Sequence, residues 1–442
     1  MMKRYFTLLM GAIVLINCVF SGCSQQAEEK PINSVEENTL SVYVVKTDSL
    51  YVNAVNSYQE QAKDLTLNVI TFDSYEAMFD VMNVELMSKG GPDVVLYNSV
   101  QSEIDGYKLA QSGMFLPLDE FVEQLDPTIY PKALMDAGNI AGKQYFIPFS
   151  YNLICTFTSE QRMTEKGYSP EDNVYEMLLH ESDSLMSLSD KVPTTMMIYR
   201  PDPINTFIDC AGVKLFDNDT GDMVVDRAEL EEICRFVKLN YDNPEKKKKM
   251  TNQFSNDFAG AADSFTFFTE SFAFMNNFRY YQAMFSKMVN SPMVAMPFHK
   301  LHNTQAFCPY IVCFGGVNAN TKSPEKAYEL LKYILDYKVS NSWPKYEESG
   351  VYYAPVSLEA YQAAVVELSE KLGYGPVTVL PLTEENAEQL TEISRKITDA
   401  VIPNSTLGVG LQEILDPYFH ETDSFDNCYN ALLNRLQIYL SE

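Results

Sequence analysis

Basic residues are scarce in this chain. Thirty-three Lys and Arg stand against 60 Asp and Glu in 442 residues, for a formal net charge of −27. Such a surface repels phosphate backbones and anionic lipid heads, which excludes nucleic acid as a partner and disfavours a polyanionic ligand outside a local basic pocket. Tryptophan is almost missing, with Trp343 the single copy. Cysteines beyond Cys23 are Cys155, Cys210, Cys234, Cys308, Cys313 and Cys428, scattered and without a CxxC pair. That spacing speaks against a zinc ribbon or a dithiol redox centre, and most of these thiols read as small buried hydrophobes. The phosphate-cradling GxxxxGK[ST] loop, the dinucleotide GxGxxG turn, the GxSxG elbow and the HExxH helix are all absent. Gly408-Val409-Gly410 is an isolated GxG and reads as a turn. His299 and His302 are three apart, a spacing that serves a metal on a helix. No cysteine pair or acid cluster lies near them in sequence, so they read as a surface loop after Pro297. Nothing requires catalysis, a metal or a cofactor, and none is expected.

What the chain does have is apolar mass. Hydrophobic residues make up 46%, and aromatics 12%, nearly all of them Tyr and Phe. That is enough for roughly two or three domains. Residues 1–22 carry an address: Lys3-Arg4 form a basic start and Phe6–Phe20 an apolar core too short for a comfortable membrane span. Val19-Phe20-Ser21-Gly22-Cys23 resembles the bacterial lipoprotein processing box, which implies cleavage before Cys23 and lipidation of its thiol. The alternative is an ordinary secreted protein cut nearby. Residues 23–38 are polar and without periodicity, as a tether from a membrane should be.

The mature chain opens as β-α-β-α-β. Leu40–Val45 and Leu65–Phe72 read as strands, and Asp93–Tyr97 as a buried one. Leu50, Ala54, Val55, Tyr58 and Ala62 share one helical face between the first two. Met78, Phe79, Met82, Leu86 and Met87 form the next stripe, behind an Asp73-to-Glu76 capping box and before a Gly90-Gly91-Pro92 stop. This order calls for a parallel sheet, whose ligands sit beyond the carboxyl ends of its strands. Asp48, Tyr75, Tyr97 and Asn98 fall on that rim. Tyr145–Gln161 (YFIPFSYNLICTFTSEQ) is a β-prone run broken by Pro148. It is either an edge strand with a proline bulge or a strand that leaves one sheet at the proline and enters another. Pro309 and Pro355 mark two further extended passages. Lys246–Lys249 reads as a solvated basic loop, and Phe267, Phe268, Phe272 and Phe274 as core.

GGPDVVLYNS (Gly90–Ser99), YFIPFSYNLICTF (Tyr145–Phe157), FFTESFAFMNNF (Phe267–Phe278), CFGGVNANTKSPEKAYELLKYIL (Cys313–Leu335), GVYYAP (Gly350–Pro355) and NRLQIYLSE (Asn434–Glu442) follow one another in this chain. With Cys23, their order and spacing resemble the family 1 extracellular solute-binding lipoproteins, receptor subunits of ABC importers that include sugar-binding proteins. The resemblance implies an α/β, two-lobe periplasmic-binding-protein-like fold of type II, each lobe a mostly parallel sheet flanked by helices, with three crossings. Lobe 1 would be 39–147 with 312–346, and lobe 2 148–311 with 347–442. The implied function is a lipid-anchored, monomeric receptor on the extracytoplasmic face, which closes over a small solute and delivers it to ABC permease subunits. The solute expected is a mono- or oligosaccharide, although the lack of Trp departs from the family's sugar receptors. A sensor or a surface glycan-binding protein of the same fold is the alternative; a secreted hydrolase would need one acid that stands out, and none does.

A solute receptor needs aromatic faces for ring stacking and Asn, Asp, Ser or Tyr groups for hydroxyls. The candidates are Asp48, Tyr75, Tyr97, Asn98, Ser150, Tyr151, Asn152, Glu270, Asn276, Asn277, Tyr310 and Tyr352. Tyr151, Asn276 and Tyr310 lead, because each lies in a motif of the resemblance.

Overall fold

The computed structural model describes residues 38–99, 105–169, 171–177, 179, 196–198, 204–241, 267–270, 292–337, 353–370 and 381–442. The leader, Cys23, Lys246–Lys249, Asn276, Asn277, Trp343 and Tyr352 lie outside them.

In chain order the first elements are β1 (Thr39–Val45), α1 (Ser49–Gln61), β2 (Thr66–Phe72), α2 (Tyr75–Met87) and β3 (Val94–Asn98). Short helices α3 (Gly106–Gln111), α4 (Asp119–Val122) and α5 (Lys132–Met135) lead to a hairpin of β4 (Asn139–Ile140) and β5 (Lys143–Gln144). Then come β6 (Ile147–Asn152), β7 (Cys155–Ser159), α6 (Glu160–Lys166), β8 (Met196–Ile198), α7 (Ile204–Ala211), α8 (Arg227–Tyr241), β9 (Phe267–Glu270) and β10 (Met293–Pro297). The chain continues with β11 (Tyr310–Val317), α9 (Pro324–Leu335), β12 (Ala354–Pro355), α10 (Leu358–Glu370), α11 (Glu384–Arg395), α12 (Ser405–Phe419) and α13 (Phe425–Ser441).

Two main sheets result. The first has the order β12-β6-β11-β3-β1-β2 and the second β10-β7-β9-β8. Pairs that flank a helical crossover are parallel: β1 with β3 and β8 with β9. Antiparallel pairing joins β11 to β3 and β6, β12 to β6, and β7 to β9 and β10. Both sheets are therefore mixed. All five β3 residues are buried, as expected of a strand covered on both faces.

Local chemistry explains the first helices. Tyr51, Ala54, Val55 and Tyr58 of α1 are buried at helical spacing. The cap of α2 is Ser74, whose hydroxyl accepts from the Ala77 amide at 3.2 Å. The expected Asp73 box does not form, because Asp73 instead turns to the Lys46 ammonium at 2.7 Å. Met87 leaves the apolar stripe and stands 74% exposed at the helix end. Lys89, at φ 63, takes the left-handed conformation that ends α2, and the Lys89 and Gly90 amides close on the carbonyls of Leu86 (3.0 Å) and Glu85 (2.8 Å).

The crossing occurs within Tyr145–Gln161, but not at the proline. Pro148 lies inside β6 opposite Phe314, and the chain changes sheet at Leu153-Ile154, between β6 and β7. Proline is tolerated here because the ladder slips in register between Cys313 and Phe314, where one donor fewer is needed. The return from β10 to β11 passes Pro309, and Pro355 sits in β12. These three passages come together as the adjacent strands β12, β6 and β11.

Candidate functional site

The carboxyl ends of β1 and β3 meet the start of α2 in one hydrogen-bonded cluster. The Asp48 Oδ2 atom accepts from the Tyr75 hydroxyl at 2.8 Å and from Asn98 Nδ2 at 2.9 Å. Its Oδ1 atom accepts from the Tyr51 amide at 3.5 Å, so the same carboxylate caps α1. All three side chains belong to buried residues. Burial pushes the Asp48 carboxyl above its usual range, against the opposing pull of the Asn98 and Tyr75 hydrogen bonds. Tyr75 is held well above the ordinary phenol range, by burial first and the Asp48 charge second. Below the cluster, the Tyr51 hydroxyl donates to the carbonyls of Tyr97 at 2.5 Å and Phe314 at 3.1 Å. The cluster is thus tied to β11, one of the crossing strands.

Of the sequence candidates, Asp48, Tyr75 and Asn98 are brought together. Tyr97 is not with them. Successive side chains of a strand point to opposite faces, so Tyr97 turns away from Asn98. Its ring is enclosed by Phe79, Phe314, Phe146 and Phe115, with centroids 5.1–6.3 Å away. It is a core residue. Tyr151 is also enclosed: its ring lies parallel to that of Tyr361 on α10, 6.5 Å apart. Tyr310 is buried with Asn152, whose amide donates to the Tyr310 hydroxyl at 2.6 Å and links β6 to β11 at the crossing. Ser150 is buried on β6, and Glu270 ends β9 opposite Cys155. Tyr51 was not singled out in the sequence. It falls on the buried face of α1, and that spacing was the available signal.

The chain matches the family model described as bacterial extracellular solute-binding protein over residues 53–372. It belongs to that family. No curated protein sequence matches it. Among solved structures it is similar to the sugar-binding protein MalE of Xanthomonas citri, with a TM-score of 0.63 at 11% identity, covering 91% of this chain and 97% of that one. An ABC substrate-binding protein from Listeria monocytogenes in complex with cycloalternan gives 0.55 at 14% identity, covering 91% and 99%. The galacto-N-biose-/lacto-N-biose I-binding protein of Bifidobacterium longum gives 0.56 at 12% identity, covering 91% and 97%. The fold is the two-lobe α/β fold of these binding proteins.

The solute-binding protein's two paired histidines do not make a metal centre. His299 is not on the surface: it packs against the Phe307 ring at 4.5 Å, and burial pushes its pKa down to about 4. His302 is exposed between Glu176 (3.2 Å) and Glu232 (3.1 Å), and its pKa is raised, by the Glu176 hydrogen bond first. Among the described residues no group of three or more His, Cys, Asp and Glu can hold a metal, and no helix is long and apolar enough to cross a membrane. Cys155, Cys234, Cys308, Cys313 and Cys428 are free thiols and, like Cys210, buried.

A cavity of about 470 Å³ lies on the other face of the crossing strands. Its wall includes Gly106, which packs beside Phe146 and Ile402 on the side toward which Tyr97 points. Asn139 comes from one wall, and Asn205 and Asp209 of α7 from the opposite one. The side-chain oxygens Asn139 Oδ1, Asn205 Oδ1 and Asp209 Oδ2 are sealed from solvent and have no hydrogen-bond partner. Sequence reasoning missed them. The signal was a pair of polar residues four apart in the otherwise apolar helix INTFIDCA.

Proposed function

We propose that this protein is an extracytoplasmic receptor that closes two lobes over a small saccharide and passes it to an ABC permease. Cys23 carries the lipid that anchors it to the membrane. The lobes follow 39–147 with 312–346 and 148–311 with 347–442, with the first boundary moved to the change of sheet at Leu153-Ile154 and with β6, β11 and β12 as the hinge between them. The observation that carries this reading is the Asp48–Tyr75–Asn98 cluster. It sits beyond the carboxyl ends of β1 and β3, where open α/β sheets take their ligands, and adjoins β11, the crossing strand paired with β3. Asp48 spends its acceptors inside the protein, so its task is to hold Asn98 and Tyr75 in place at the rim. The sugars named with several structural neighbours support the ligand class. Closure follows only from better contacts of the ligand with the closed form.

Calorimetric titration of the chain against mono- and oligosaccharides, with amino acids and peptides as controls, tests this. One saccharide class should bind, compact the protein in solution scattering, and lose at least about tenfold in affinity in Asn98→Ala, the loss of one or two hydrogen bonds. Binding confined to a control class would discard the saccharide and keep the receptor.

A further inference from the structure

The geometry points to a second solute site, for a small amine, in the cavity behind the crossing strands. Asp209 is the reason. It sits in the last turn of α7, where the helix dipole disfavours a negative charge. Its Oδ2 atom is sealed from solvent and accepts no hydrogen bond. Of the three lysines on the lining, Lys300 pairs with Asp399, Lys132 pairs with Asp136, and Lys214 acts on Asp217 and Asp399. Burial alone pushes its carboxyl up to about 7, with no neighbouring cation pulling it back. A buried acid without a partner is costly, and a cation that enters the cavity relieves that cost.

The cavity suits such a visitor. Its volume of about 470 Å³ is at the small end of ligand pockets. Asn139 and Asn205 line the same cavity and add polarity without charge. The lining carries five aspartates against three lysines, which favours a cation over an anion. At its mouth the hairpin turn is fastened to the loop after α7: the Ala141 amide donates to the Asn218 carbonyl and the Gly142 amide to Asp219 Oδ1, both at 3.0 Å. The walls come from α3 and the β4–β5 hairpin on one side and from α7 on the other, so this site is separate from the Asp48 rim and does not depend on which solute that rim takes.

The probe is 4-amino-1-butanol, compared with 1,4-butanediol, in calorimetric titration of the full chain. The amine should bind at least about tenfold more tightly than the diol. Asp209→Asn should erase that preference while leaving saccharide affinity unchanged. Asn139→Leu, which intrudes from the opposite wall, should weaken the amine as well. Asn98→Ala should weaken the saccharide and leave the amine alone, so the two sites fail separately. The near-isosteric Asp209→Asn keeps the fold, which its thermal midpoint will report. No amine binding at millimolar concentration, equal binding of amine and diol, or amine binding indifferent to Asp209→Asn would each overturn the site.

Discussion

Two aspartates, the buried Asp48 at the rim and the half-buried Asp209 on the cavity wall, are treated in opposite ways. Asp48 has a phenol, an amide side chain and a backbone amide donating to it. Asp209 has an oxygen with no donor at all. Both carboxyls are pushed up by burial, but only at Asp48 do hydrogen bonds pull back. The lesson is that burial of a charge is not one condition. With its donors in place the acid orders a rim; without them it is a cost that the fold carries, and a cost carried on a cavity wall marks a place for a ligand.

The comparison breaks most visibly at Asp48. Asp48→Ala strips the donors of Tyr75 and Asn98 of their acceptor and leaves α1 uncapped. It should cost about 3 kcal/mol in urea denaturation. Asp209→Asn should do the reverse above neutral pH and add roughly 2 kcal/mol. The sign follows from linkage. The folded carboxyl titrates at about 7 and the unfolded one at its usual 3.8, so the native state binds more protons between them. Wild-type stability relative to Asp209→Asn should therefore be fully present below pH 3.8, fall as pH rises, and level off above 7. Thermal midpoints of both proteins at pH 5 and pH 8 check this. The smallest effect contrasts two tyrosines. Tyr75→Phe removes a donor to a carboxylate and should cost about 2 kcal/mol, whereas Tyr97→Phe removes a hydroxyl that has no partner and should lie within about 0.5 kcal/mol of wild type. An equal loss in both would mean that Tyr97 has a role beyond the core.

The rim was legible in the sequence because its parts follow from local rules. A strand of apolar residues ends where polar ones begin, and Asp48, Tyr75 and Asn98 stand at those ends. Tyr97 and Tyr151 were misplaced for an equally physical reason. Alternation tells that two neighbours on a strand face opposite ways, but not which way is covered. On β3 and β6 both faces are packed, so the aromatic residue beside a polar one belongs to the core. The prolines lie in extended passages that became neighbouring strands or lead into one, yet Pro148 lies five residues before the change of sheet at Leu153, since the chain put it opposite a slip in the ladder instead.

By itself the sequence determined the alternation of strands and helices at the start of the chain, the buried face of α1, and the three extended passages with their prolines, because each depends on residues within a turn or two of one another. Tertiary structure alone decided that β12, β6 and β11 lie side by side, that Tyr51 reaches carbonyls of both Tyr97 and Phe314, and that Asn139 and Asp209 share one cavity. Those partners are separated by 46 residues and more along the chain, Tyr51 and Phe314 by 263. Over such distances no local period or cap connects two residues, and only the packing of the whole chain selects which of them meet.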